Sequence, residues 1–238
     1  MNKRLGIIGG MGPKATAVFF NQIVDHTVAA SDAEHIDMVI LNNTKIPDRT
    51  AAILSGNHQP VLDELLSSVR QLESLGVDHI AIPCNTACFF ADKLQQATNV
   101  PIINIVEETV KYIKELPQED DRGKVVVGVL ATDGTIYSGT YLQALEHHGL
   151  ECIIPQKEIQ VKVVDLIYNQ VKKTGRGNLH DFEYLVGEMV KSGCDYVVLG
   201  CTELSWFAAN YTLPSCCIDA LGVLTKVCIE RSGKGYKE

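Results

Sequence analysis

Two cysteines stand where chemistry could be done. Cys84 closes the run "DHIAIPC" and precedes Asn85-Thr86, while Cys201 closes "DYVVLGC" and precedes Thr202-Glu203. Each run is apolar enough for a buried strand, and each is followed by polar residues suited to a helix start, Asn85-Thr86 and Thr202 offering capping side chains. The unpaired N–H groups of such a start attract an anion and lower a cysteine pKa from about 8.5 toward neutrality. A thiolate on one face of a carbon can then remove its proton while a thiol on the other face delivers one. That is the chemistry of inversion at a carbon centre. A single cysteine at a strand end is more often a buried structural thiol. Two in matching places favour a functional reading.

The elements that must position them form a repeated series. "RLGIIGG", "IDMVILNN", "DHIAIPC" and "VPIINI" read as strands, separated by the helices "ATAVFFNQIVDHTVAA", "HQPVLDELLSSVRQLESLG" and "TACFFADKLQQAT". The second helix carries apolar residues at 61, 62, 65, 66, 69 and 72, a stripe of helical period. The strand runs are too apolar to alternate, which suits parallel strands covered on both faces. A second series follows: "KVVVGVL", "LECIIP", "DYVVLGC" and "LPSCCID". Gly6 and Gly12 match Gly128 and Gly134 at a spacing of 122. Gly76, Asp78 and Cys84 match Gly193, Asp195 and Cys201 at 117, and Pro101 matches Pro214 at 113. Three coincidences in one order imply two similar parallel-sheet α/β domains related by a pseudo-twofold.

Ligands of such sheets bind beyond the carboxyl ends of the strands. Both cysteines are predicted there, so the expected active site is the cleft between the domains. The polar stretch "PQEDDRG" at 117–123 is the best linker candidate. The expected division is 1–105 plus 212–238 for the first domain and 106–211 for the second, with the last segment returning as a closing strand and helix.

Composition excludes several alternatives. A net charge of −8 over 238 residues argues against nonspecific nucleic-acid binding. No stretch approaches the roughly 20 apolar residues of a membrane span. The apolar part of "MNKRLGIIGG" is too short for a signal peptide, so a cytoplasmic protein is expected. Disulfides are correspondingly disfavoured for the eight cysteines, most of which lie in apolar runs as small hydrophobes.

A metal centre is not expected either. No C-x-x-C pair occurs, the adjacent Cys216 and Cys217 would point to opposite faces of a strand, and His147-His148 lies in a polar helix end. "GGMGP" at 9–13 lacks the third glycine of a dinucleotide fingerprint, which would fall at Ala15. Lys14 follows Pro13 rather than a P-loop glycine. With "ATDGT" at 131–135, it reads instead as a tight turn whose backbone N–H groups, Met11 and Thr132 among them, approach a ligand carboxylate. Arg49 and Lys162 each follow the second strand of a half, 113 apart, and could hold a carboxylate. Asp48, Glu203 and Thr132 are softer candidates; acids near helix starts often only favour the dipole.

"PCNTA" at 83–87 with "GCTE" at 200–203 resembles the aspartate/glutamate racemase family. "GIIGGMGP" and "IPDRT" at 46–50 are similar to its amino-acid racemase branch, and the resemblance covers nearly the whole chain. It implies two α/β domains, an acidic amino-acid substrate, no pyridoxal phosphate or other cofactor, and a homodimer. It implies Cys84 and Cys201 as the two proton carriers. Met11, Asn85, Thr86, Thr132, Thr202 and Glu203 would lie around the substrate, with Arg49 and Lys162 as substrate-binding cations. Two departures stand out. Glutamate racemases usually carry His after Gly-Cys-Thr, where this chain has Glu203. Many aspartate-type members have His where it has Cys88. Hydantoin racemases and maleate isomerases are also related, so another substrate of that class, or a noncatalytic amino-acid-binding protein, stays open. A redox role for the thiols finds no support in their spacing.

Overall fold

The computed structural model describes residues 2–116 and 123–237. The expected linker at 117–123 lies outside the described residues except for Gly123. Along the chain run β1 (Leu5–Gly9), α1 (Pro13–His26), β2 (Met38–Asn42), α2 (Arg49–Ser55), α3 (Gln59–Ser74), β3 (His79–Ala81), α4 (Ala91–Gln96), β4 (Ile102–Ile103) and α5 (Ile105–Glu115). The series then continues with β5 (Val126–Leu130), α6 (Asp133–Ser138), α7 (Thr140–His147), β6 (Glu151–Ile153), α8 (Lys157–Asp165), α9 (Leu179–Lys191), β7 (Tyr196–Leu199), α10 (Ser205–Asn210), β8 (Cys217–Asp219) and α11 (Ala220–Arg231).

The strands form two four-stranded sheets in the orders β2-β1-β3-β4 and β6-β5-β7-β8, with every pairing parallel. The chain divides into one unit of 1–108 plus 221–238 and another of 109–220. The expected boundary at 212 differs from this division. Residues 212–220 remain with the second unit because β8 supplies the fourth strand to the open edge of β7, and the first unit resumes at Leu221 in the first turn of α11.

The repeat is visible in backbone pairing. Asp78 accepts from the Arg4 amide at 2.6 Å and donates its own amide to the Arg4 carbonyl; Asp195 does the same with Val126, at 2.8 Å each way. Each carboxylate thus ties the start of a central strand to the turn before its neighbour. Gly6 and Gly128 face helices at matching points. A Cβ on Gly6 would lie 3.0 Å from Leu72 and 3.1 Å from Val77, and one on Gly128 would lie 2.8 Å from Met189 and 2.9 Å from Cys194. Glycine lets α3 and α9 pack this closely on their strands.

One spacing differs from the expectation. Ile80 pairs with Ile102 and Val197 with Cys217, so the fourth strands correspond at 115 rather than the 113 of the two prolines. A turn closed from the Cys217 amide to the Pro214 carbonyl, 2.9 Å, places two residues between that proline and β8.

The core of the first unit joins Val61, Leu65, Val69 and Leu72 of α3 to Ile8, Ile80 and Phe90. That of the second joins Phe182, Leu185, Val186 and Met189 of α9 to Leu130, Val197 and Phe207. The apolar stripe of α3 therefore forms as its period requires.

At the base of the first sheet, the buried His79 ring lies 3.1 Å from the Ser232 hydroxyl. Burial holds its pKa below the ordinary 6.5. Asp78 opposes this, whereas Lys3 and Arg231 reinforce it. The unfolded chain thus binds more protons here in the window below about 6.5, so stability rises with pH through that window and is lost as pH falls. Urea unfolding at pH 5 should show a lower midpoint than at pH 7.5, and His79→Gln should flatten that difference. An unchanged slope in the variant would assign the acid sensitivity to other groups.

Candidate active site

Met11, Cys84, Asn85 and Thr86 in the first unit, and Thr132, Cys201, Thr202 and Glu203 in the second, follow the carboxyl ends of their strands. In the first unit, Arg49 opens α2 just after Asp48, which caps the helix by accepting from the Ala51 amide at 2.7 Å. Asp48 therefore has a structural role. A cation in the first turn opposes the helix dipole, so Arg49 is poorly suited to stabilising α2. Its guanidinium instead donates to the Pro47 carbonyl at 2.9 Å, the Met11 carbonyl at 3.3 Å and the Ile46 carbonyl at 3.5 Å. None of these partners is a carboxylate, and Arg49 Nε is buried without a hydrogen-bond partner. The bond to Met11 binds the loop after β2 to the loop after β1. Met11, Ile46, Cys84 and Ala87 share one packed cluster, which brings the loop after β3 to the same place.

Cys84 lies past the end of β3 and is buried, as are Asn85 and Thr86. The long helix expected at 86–98 is divided into a 3₁₀ segment, Thr86–Phe90, and α4. Asn85 has helical angles, φ −60° and ψ −42°, and makes no side-chain cap. A capping residue needs extended geometry, so the expected cap is not formed. Cys88 is pushed up to about 12 by burial despite hydrogen bonds to the Val106 and Ile105 backbone. A thiol that stays protonated at neutral pH is a packing group rather than a proton carrier.

In the second unit Thr132 does cap a helix. Its backbone is extended, and its hydroxyl accepts from the Thr135 amide at 3.3 Å at the start of α6. The Gly200 amide donates to the Leu130 carbonyl at 2.8 Å, joining the segment that carries Cys201 to the end of β5 beside Thr132.

Thr202 was expected at a helix start, but α10 begins only at Ser205. Residues 201–204 make a turn closed by the Leu204 amide on the Cys201 carbonyl, 2.9 Å. The Thr202 hydroxyl is directed to Glu203 Oε2 at 3.3 Å instead of to a helix amide. The same oxygen accepts from Cys201 Sγ at 2.9 Å. Cys201, Thr202 and Glu203 are therefore one hydrogen-bonded group, with the carboxylate as its common acceptor.

Lys162 is exposed on α8, its ammonium 4.2 Å from the centre of the Tyr184 ring, a cation–π contact. Its helix neighbour Gln160 points elsewhere. Gln160 Nε2 donates to the Ala131 carbonyl at 3.1 Å and to Asp133 Oδ1 at 2.8 Å, holding the loop that contains Thr132. At the spacing of 117 Gln160 falls on Asn43, whose amide donates to Glu64 and Ser68 rather than to the loop after β1, and sequence reasoning singled out neither.

The remaining thiols behave as packing groups. None of the eight cysteines is joined in a disulfide. Burial pushes Cys152 and Cys194 up to about 11, Cys217 up to about 12, and Cys228 higher still. Among the described residues no cluster of His, Cys, Asp and Glu could hold a metal ion, and no helix is long and apolar enough to cross a membrane.

Comparison with known proteins agrees with the arrangement of strands. Residues 8–226 match the model of the Asp/Glu/hydantoin racemase family. The broad specificity amino-acid racemase of Bacillus subtilis is 31% identical over 205 residues, 84% of this chain and 86% of that protein. The aspartate racemase of Picrophilus torridus superposes with a TM-score of 0.80 at 28% identity, over 99% of this chain and 96% of that one. Glutamate racemase from Francisella tularensis, solved with D-glutamate, shares the fold at a TM-score of 0.61 and 18% identity, over 97% and 81% of the two chains.

Proposed function

The chain belongs to the Asp/Glu/hydantoin racemase family, and from that premise we propose that it racemises a small acidic amino acid with two thiols and no cofactor. The observation that carries this reading is the matched placement of Cys84 and Cys201, each after the strand that adjoins the central strand of its sheet. One thiolate removes the α-proton from one face of the substrate, and the other thiol delivers a proton to the opposite face. The roles reverse for the other enantiomer.

Glu203 receives the proton of Cys201 across their 2.9 Å contact, which prepares that thiol as a base. Asn85, Thr86, Thr132 and Thr202 hold the α-carboxylate together with backbone N–H groups of their loops, including the turn at Met11. Arg49 and Lys162 take the distal carboxylate and offset charge that develops at the α-carbon. Such local cations are needed because the net charge of −8 is unfavourable for an anionic substrate. A homodimer in the cytoplasm completes the reading, supported by family resemblance.

Arg49→Ala should raise KM for aspartate and glutamate about 10–100-fold, the worth of one or two charged hydrogen bonds. Arg49→Lys should recover only part of this, since a point charge cannot hold three carbonyls and a carboxylate together. Equal KM values for all three proteins would remove Arg49 from the binding site.

The function itself is tested by proton NMR of L-aspartate and L-glutamate in D2O with the purified protein. Loss of the α-proton signal without added cofactor supports the reading, and the relative rates name the preferred substrate. A folded protein that exchanges neither amino acid overturns it.

A further inference from the structure

We propose that Gln160 is a positioning residue for the substrate and the second unit's counterpart of Arg49, a role that the equal spacing of Arg49 and Lys162 conceals. The inference rests on the racemase reading above. Arg49, which follows β2, donates to the Met11 carbonyl in the loop after β1. Gln160, which follows β6, donates to Ala131 and Asp133 in the loop after β5. Asp133 stands 122 residues beyond Met11, the spacing that relates the two first strands. The two side chains thus run the same way in the two repeats, from the segment after the second strand onto the loop after the first, although Arg49 takes the Met11 backbone carbonyl and Gln160 takes the Ala131 carbonyl and the Asp133 carboxylate.

Lys162 does not make this bond. Two residues along an α-helix turn a side chain about 200°, and the Lys162 ammonium lies over Tyr184 of α9. Gln160 is the residue of α8 that faces the Thr132 loop.

The orientation of the Gln160 amide is determined by its partners. Both are acceptors, a carbonyl and a carboxylate, so the NH2 group must face them. The amide oxygen is then left buried without a hydrogen-bond partner. The contribution of Gln160 to this loop is its two donors. They close the loop in the form in which Thr132 caps α6, and that loop lies beside Cys201 through the Gly200–Leu130 bond. The substrate carboxylate is therefore received by a loop already ordered before binding.

Gln160→Met, of similar length but without donors, tests this directly, together with Gln160→Arg, which restores donors as Arg49 does in the other repeat. For racemisation of aspartate and glutamate, Gln160→Met should raise KM about tenfold, the net effect of losing the two hydrogen bonds that order the loop, with the melting temperature unchanged. Gln160→Arg should return KM to within about threefold of wild type on the same scale. Amide hydrogen exchange across 131–136 should be faster in the Met variant and normal in the Arg variant, a readout that needs no substrate. A wild-type KM in Gln160→Met, or an Arg variant as impaired as the Met variant in both readouts, overturns the role. A melting temperature that falls while KM holds reduces Gln160 to a structural contact. A wild-type protein that exchanges neither amino acid overturns the racemase reading and the positioning role with it, while amide exchange still reports whether the tether exists.

Discussion

Cys84→Ala and Cys201→Ala should each abolish racemisation, lowering the rate about 10³-fold or more, while leaving half of the proton chemistry in place. The magnitude follows from what a positioned acid or base contributes, about 10²–10⁴-fold, applied to a step in which both are needed at once. The remaining thiol can still remove the α-proton from the enantiomer that presents it and return a deuteron to the same face. Each variant should therefore exchange one enantiomer without inverting it, and the two variants should prefer opposite enantiomers. That crossed pattern belongs to a two-base mechanism. The double variant should lose exchange from both enantiomers, and its racemisation should fall little below that of either single variant, because the thiols act as a unit. A Cys84→Ala enzyme that racemises within tenfold of wild type would end the two-thiol account. A variant that exchanges both enantiomers equally would point to a single base reaching both faces.

Glu203→Gln should lower kcat for racemisation by about 10²-fold, the lower end of what a general base supplies. The amide keeps the shape of the carboxylate and can still touch Cys201 Sγ, but it cannot take the proton. Enantiomers have equal free energy, so kcat/KM must fall by the same factor in both directions whatever the mechanism. The asymmetry appears in exchange instead. Proton loss from the enantiomer served by Cys201 should slow, and that from the enantiomer served by Cys84 should persist. Glu203→His should recover more activity than Glu203→Gln, since imidazole can also accept a proton. If Gln and His variants are equally slow in both exchange reactions, Glu203 shapes the turn at 201–204 and carries no proton.

Much of this arrangement was legible in the residues. The strands appear as short apolar runs because parallel strands covered on both faces need no polar alternation, and β1 is buried along its length. The stripe of α3 was readable because helical period is a local property. Matching of Asp78 with Asp195 marked a real equivalence, since each carboxylate makes the same bond to the start of the neighbouring strand. The motifs around Cys84 and Cys201 likewise led to the family that the whole-chain comparisons identify.

Where sequence reasoning failed, it relied on spacing or neighbourhood for something that depends on a distant partner. Thr202 looked like a helix cap because it follows a strand; its hydroxyl turns to Glu203 and the helix begins later. Pro101 and Pro214 looked equivalent, yet the sheet register is set by which carbonyl receives the amide of the third strand. That carbonyl belongs to Pro101 in one sheet and Cys216 in the other. The interval from Arg49 drew attention to Lys162, whose ammonium lies over Tyr184, and not to Gln160, whose bonds to Ala131 and Asp133 depend on a loop distant in the chain.

The sequence by itself determined the two α/β repeats, the loops that carry the thiols and the residue types available there. These depend on hydrophobic period and on short motifs, which neighbours in the chain specify. Only the tertiary structure decided that Cys201 is bonded to Glu203, that Arg49 and Gln160 tether the loops after β1 and β5, and that the remaining buried thiols pack. Side-chain hydrogen bonds act over about 3 Å, and the chain must first bring the loops together before residue types become partners.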